Sequence, residues 1–113
     1  MRPAWVSVCE YDDLEPEIGV AALVKGKQVA LFKLPDGTLR AVGNRDPFSG
    51  TQSVARGVVG VEADGIAFVV TLHARQRFDL DTGLCLSDRT VGLPTYPVRV
   101  VNGKVEVCVP VRT

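Results

Sequence analysis

The dipeptide Asn102-Gly103 constrains this chain more than any other feature. It separates two valine-rich stretches. A two-residue type I′ turn needs positive φ at both central positions, which Asn and Gly tolerate. Such a turn fixes the register of the strands it joins. Val100 then faces Val105 and Val98 faces Val107, while Arg99 faces Glu106 on the other side of the ribbon. Four valines on one face and an opposite-charge pair on the other predict a half-buried antiparallel hairpin.

The same pattern recurs upstream. Asp36-Gly37 predicts a hairpin that pairs Leu34 with Leu39 and Phe32 with Ala41. Lys25-Gly26-Lys27 separates an apolar stretch at 19–24 from one at 28–34. Asp64-Gly65 separates 57–62 from 66–71, and 77–80 runs into Asp81-Thr82-Gly83. Twenty valines, with 11 glycines and seven prolines scattered as punctuation, favour short strands joined by tight turns. No helical apolar period is sustained; the best candidate for a helical turn is the polar stretch 10–14. The expectation is an all-β fold of about nine or ten strands, a sandwich or partial barrel of small antiparallel sheets. At 113 residues the chain has the size of one domain, over 1–113.

Composition excludes several classes of function. Thirteen basic residues balance 13 acidic ones, so the chain as a whole has no electrostatic pull toward nucleic acid or an anionic membrane. No apolar run approaches the ~20 residues that cross a bilayer, and no apolar signal segment follows Met1; the cytoplasm is the expected location. Three cysteines at wide spacing, Cys9, Cys85 and Cys108, make a poor disulfide framework and read as small core residues. His73 is the sole histidine, so no His pair is available for a metal.

Two polar segments break the strand-and-turn pattern. One is Asn44-Arg45-Asp46-Pro47-Phe48-Ser49-Gly50; the other is Leu72-His73-Ala74-Arg75-Gln76-Arg77. Loops on a rigid β scaffold are where binding groups sit, although most connections only connect. Neither segment holds a nucleophile with a positioned base, and no Gly-x-Ser-x-Gly surrounds a serine, so no catalytic residue is expected. Asp79 and Asp81 share a strand face, with Arg75 and Arg77 on it if the strand starts early, and the resulting mixed-charge stripe is expected to compensate itself. Phe32, Phe68 and Phe78 fall in strand patterns and are expected in the core. Phe48 follows Pro47 in a polar loop, so its ring either folds back onto a local cluster or meets a partner.

Three stretches carry a family resemblance: LPDGTLRAVGNRDPF at 34–48, FVVTLHARQRFDLDTGLCL at 68–86 and LPTYPVRVVNGKVEV at 93–107. In this order they resemble a Rieske-type iron–sulfur domain. Such domains carry Cys-x-His in a first loop, Cys-Pro-x-His-Gly-x-x-Phe-Asp-x-x-Thr-Gly in a second, and a closing Leu-Pro-x-Tyr-x-Val-x-Val strand. Phe78, Asp79, Thr82 and Gly83 match the second pattern; Leu93, Pro94, Tyr96, Val98 and Val100 match the third. Counting back from Phe78-Asp79, the second loop's ligand positions fall on Thr71 and Ala74. Those of the first loop fall on Asp46 and Phe48. A Rieske centre needs two thiolates and two imidazoles, so the resemblance implies the fold without the cluster and no metal site in this chain.

Within that family, NRDPFSG, RQRFDL and LPTYPV are similar to the small-subunit family of NAD(P)H-dependent assimilatory nitrite reductases. The resemblance implies a non-catalytic accessory subunit without a cofactor of its own. Its partner would be a large catalytic subunit carrying FAD, sirohaem and an iron–sulfur cluster, which uses NAD(P)H to reduce nitrite to ammonia. The alternatives are a Rieske-like interaction or regulatory module of another redox complex, or a Rieske ferredoxin. The two ligand loops of a Rieske domain converge at one tip. Here that tip would carry Asn44, Arg45, Asp46, Phe48, His73, Arg75 and Arg77, the candidate partner-binding residues. Arg45 beside Asp46 offers a second possibility, an internal ion pair that clips the loops together where metal would.

Overall fold

The computed structural model describes residues 2–111. Ten strands follow one another: β1 (Arg2–Glu10), β2 (Val20–Val24), β3 (Lys27–Lys33), β4 (Leu39–Gly43), β5 (Val58–Val61), β6 (Ala67–Val70), β7 (Arg77–Asp79), β8 (Thr95–Tyr96), β9 (Val98–Val101) and β10 (Lys104–Val111). Tyr11–Asp13, inside the expected helical turn, forms one turn of 3-10 helix, and Val54–Arg56 forms another. The fold is all-β, built from small antiparallel sheets. No helix among the described residues is long and apolar enough to cross a membrane.

The strands form three sheets, ordered β1-β10-β9, β2-β3-β4-β8 and β5-β6-β7. The second lies between two apolar cores. Val29 and Leu31 of β3 point into one core with Ala41, Val105, Val107 and Val109. Ala30 and Phe32 of the same strand point into the other, with Val42, Val69, Phe78 and Leu80. A strand buried on both faces loses the apolar–polar alternation and reads as a continuous run, here Val29-Ala30-Leu31-Phe32. The first core glues the terminal strands to the central sheet. The second fastens β5-β6-β7, which carries one of the two loops of interest.

The C-terminal hairpin has the expected register, Val105 opposite Val100, Glu106 opposite Arg99 and Val107 opposite Val98. Asn102 and Gly103 sit at φ 50° and 77°. The Arg99 Nε donates to Glu106 Oε1 at 2.8 Å, and the guanidinium lies 3.9 Å over the Trp5 ring. Val100 departs from expectation. It is exposed, because β9 is an edge strand and its outer end overhangs the core.

Two other expectations are corrected. In the β3–β4 hairpin Lys33 pairs with Leu39, Phe32 with Arg40 and Leu31 with Ala41, one residue away from the pairing read around Asp36-Gly37. Pro35 is the cause. It takes the second position of a turn in which the Gly37 N–H donates to the Leu34 carbonyl at 2.9 Å, and Gly37 follows at φ 87°. The connection is thus a three-residue loop ending in a left-handed glycine. Phe68 is not a core residue. It lies on the outer face of β6, under the Arg77 guanidinium at 4.7 Å.

Candidate functional site

The first loop leaves β4 at Asn44 and is held from inside by its own side chains. The Asn44 N–H donates to the Gln28 carbonyl at 3.0 Å, and its Oδ1 accepts the Ala55 N–H at 2.8 Å. Two residues on, Asp46 Oδ1 accepts the Phe48 N–H at 2.9 Å. The Asp46 N–H reaches the Thr51 carbonyl at 2.8 Å, and its carbonyl accepts the Gly50 N–H at 2.7 Å. Asp46 is fully buried, and its Oδ2 has no hydrogen-bond partner among the described residues. Side-chain turns of this kind compete with regular secondary structure and are why Asn and Asp favour loops.

The second loop joins β6 to β7. Thr71 closes it from backbone and side chain. Its N–H donates to the Gln76 carbonyl at 2.9 Å, its carbonyl accepts the Arg75 N–H at 3.0 Å, and its Oγ1 accepts the Gln76 N–H at 3.1 Å. Arg75 is forced to φ 54°, the left-handed region. It stands where the Rieske pattern has glycine, so the backbone shape survives although the residue that favours it does not. The Gln76 Oε1 accepts the Ser87 hydroxyl at 2.6 Å and ties the loop to the segment after Gly83.

The first loop packs against β7 through aromatic contact. The Phe48 ring reaches the buried Phe78 ring, with centroids 6.1 Å apart. Phe48 folds back, as one of the two sequence readings expected: one side touches the core, while 44% of the residue faces solvent. Arg45, His73 and Arg75 are also exposed. Three other candidates are not free surface groups. Asn44 and Asp46 are buried because their side chains hold the loop backbone. Arg77 turns to the outer face of β7 and pairs with Glu62 at 2.6 Å. The Arg45–Asp46 clip does not form: no ion pair joins these residues, and Asp46 engages backbone instead. Leu72, passed over in the sequence, is 44% exposed on the second loop. An apolar side chain heading an otherwise polar segment was the available signal.

The expected self-compensating stripe does not form, because β7 spans only Arg77–Asp79 and leaves Arg75 in the loop and Asp81 in the following turn. β7 ends at Asp79, whose Oδ1 accepts the N–H groups of Asp81 at 2.7 Å and Thr82 at 3.2 Å. Asp81 pairs with Arg40 at 2.6 Å. Burial, helped by Asp13 and Glu10, pushes the Cys9 thiol up, which disfavours the reactive thiolate.

The four positions do not fit an iron–sulfur cluster. Phe48 and Ala74 offer no donor atom, and the Thr71 hydroxyl and Asp46 Oδ1 serve the loop backbone. Cys85 and Cys108 lie buried elsewhere. Among the described residues no three His, Cys, Asp or Glu side chains converge.

Comparison with known proteins places this architecture. The sequence pattern of the Rieske-like [2Fe-2S] domain matches residues 4–108. The chain belongs to the Rieske-like domain family. Within the family it is 36% identical over 103 residues to the nitrite reductase (NADH) small subunit of Escherichia coli K12, covering 90% of this chain and 94% of that one. The crystal structure of a Mycobacterium tuberculosis protein assigned as an NADH-dependent nitrite reductase small subunit superposes with a TM-score of 0.92. It is 44% identical, and the match covers 99% of this chain and 100% of that one. A stretch of the nitrite reductase [NAD(P)H] large subunit of Klebsiella oxytoca is 32% identical over 104 residues. That match takes in 92% of this chain but only 11% of the larger polypeptide. The Rieske-like domain therefore occurs both as a separate chain and as part of a large subunit.

Proposed function

We propose that this chain is the accessory small subunit of an NAD(P)H-dependent nitrite reductase, acting in the cytoplasm as one domain over 1–113. It supports reduction of nitrite to ammonia by a large subunit and performs no chemistry itself. FAD, sirohaem, an iron–sulfur cluster and the NAD(P)H site belong to that partner, and no cofactor resides here. The observation that carries the reading is the Klebsiella oxytoca large subunit, in which a Rieske-like domain resembling 92% of this chain is part of the same polypeptide. The small-subunit relatives support it independently.

The tip of the two loops is the first contact surface to consider. Phe48 and Leu72 are half-exposed apolar groups, and Arg45, His73 and Arg75 present polar and cationic groups on the same loops. Aromatic and Arg side chains are enriched at interface hot spots. A half-buried ring already anchored on Phe78 gives up little conformational entropy on docking.

The test is affinity purification of the chain from its native cells. Recovery of a flavin- and sirohaem-bearing large subunit, with loss of nitrite reduction on deletion, is expected. A chain that never retains such a protein and whose deletion leaves nitrite reduction intact overturns the reading.

A further inference from the structure

A groove of 740 Å³ opens where the paired ends of β1 and β10 meet β8, lined among others by Arg2, Lys27, Pro94, Tyr96 and Pro110. A second depression of 310 Å³ shares Lys27, Pro94 and Tyr96 with it and extends to Arg45 on the first loop. Together they form one concave track from the chain ends to the tip. Among the described residues three cations line it, and no Asp or Glu lines either part. In a chain with 13 basic and 13 acidic residues, that is a local segregation of charge.

The position of the chain ends points to the occupant. Arg2 pairs with Val111, so both ends of the described chain leave the fold at the mouth of the groove. In the Klebsiella oxytoca protein the rest of the large subunit must connect through one or both of these ends. The connected polypeptide therefore emerges beside this groove, at high effective concentration there.

We infer that the track seats an extended acidic segment of the large subunit, and this rests on the accessory-subunit reading above. Its floor recognises side chains rather than adding a strand, because the prolines that line it have no N–H to offer a partner strand. The Tyr96 ring and the prolines supply apolar area, and Arg2, Lys27 and Arg45 meet carboxylates through charge-assisted hydrogen bonds. The footprint thus runs from the tip to the termini instead of resting on the tip alone.

The test measures binding of the full chain to purified large subunit at low and high salt. The Arg2→Glu, Lys27→Glu pair is expected to weaken binding by about tenfold or more, with the difference shrinking as salt rises. The milder Arg2→Gln, Lys27→Gln pair is expected to fall between, and it decides the matter if thermal unfolding shows the first pair misfolded. Wild-type binding that both pairs leave unchanged overturns the inference and spares the accessory-subunit reading. A wild-type homodimer that the reversal dissociates, with large-subunit binding unmoved, overturns it likewise. Failure of the wild-type chain to bind the large subunit at all overturns both.

Discussion

The rings of Phe48 and Phe78 lie 6.1 Å apart at their centroids, with planes tilted by 51°. Phe48 occupies a position where the Rieske pattern has a metal-binding histidine, and Phe78 opens the Phe-Asp sequence after the second loop. An apolar contact thus ties the first loop to the strand that follows the second, with Asn44, Asp46 and Thr71 fastening each loop to itself.

The two rings are expected to differ in what they stabilise. Phe78 is fully buried, so Phe78→Ala should cost about 3–5 kcal/mol in urea denaturation. Phe48→Ala should cost about 1–2 kcal/mol, because much of its ring is already in water. The same substitution should weaken large-subunit binding by about tenfold or more. A double-mutant cycle should return a coupling of about 0.5–1.5 kcal/mol for the pair.

Arg75→Gly is expected to raise stability. Arg75 holds φ 54°, which costs a residue with a Cβ about 1–2 kcal/mol, while the extra freedom of glycine in the unfolded chain takes back part of that gain. A net rise of about 0.5–1 kcal/mol should appear as a higher thermal midpoint. A fall would show that the Arg75 side chain holds the loop.

Gly83→Ala is expected to be severely destabilising. Gly83 sits at φ 79°, and a Cβ there would come within 2.2 Å of the Leu93 carbonyl oxygen. The atom it meets is backbone, so no rotamer change relieves the clash. A loss of about 3 kcal/mol or more, or failure to express in soluble form, should follow. The glycine of the Asp-Thr-Gly turn is thus required by the close packing of 83 against 93.

Stability should plateau near neutral pH and decline on both sides. The hydroxyl and N–H of Thr38 hold the Asp36 carboxyl below its ordinary value, and Thr90 does the same for Asp88. A depressed acid contributes stability above its unfolded value, near ~3.9, and loses it as pH falls through the folded one. The Lys104 ammonium is raised by its hydrogen bond to Glu10 and by the charge of that carboxylate. Burial raises Cys9 and Tyr96. Raised groups contribute below their unfolded values and lose that contribution as pH rises, so the alkaline decline starts near the thiol range, about pH 8.5. These groups are exposed or partly so, and each effect is small. Thermal midpoints across pH should show Asp36→Asn and Asp88→Asn flattening the acid limb, and Glu10→Gln flattening the alkaline one.

The sequence alone determined what depends on neighbours along the chain. Asn102-Gly103 set the C-terminal register because turn dihedrals belong to the turn residues themselves. The all-strand layout followed from turns recurring between valine-rich runs. The identities at 46, 48, 71 and 74 decided the donor chemistry of the loops. Tertiary structure decided what depends on which surfaces stack. It put Phe68 outside and Phe32 inside, though both stand in strands, because β3 belongs to the sheet packed between two cores and β6 does not. It buried Asn44 and Asp46, whose polar side chains read as surface, because distant backbone donors and an enclosing core cannot be seen in a local pattern. It assembled the groove from β1, β3, β8 and β10, which only the folded chain brings together.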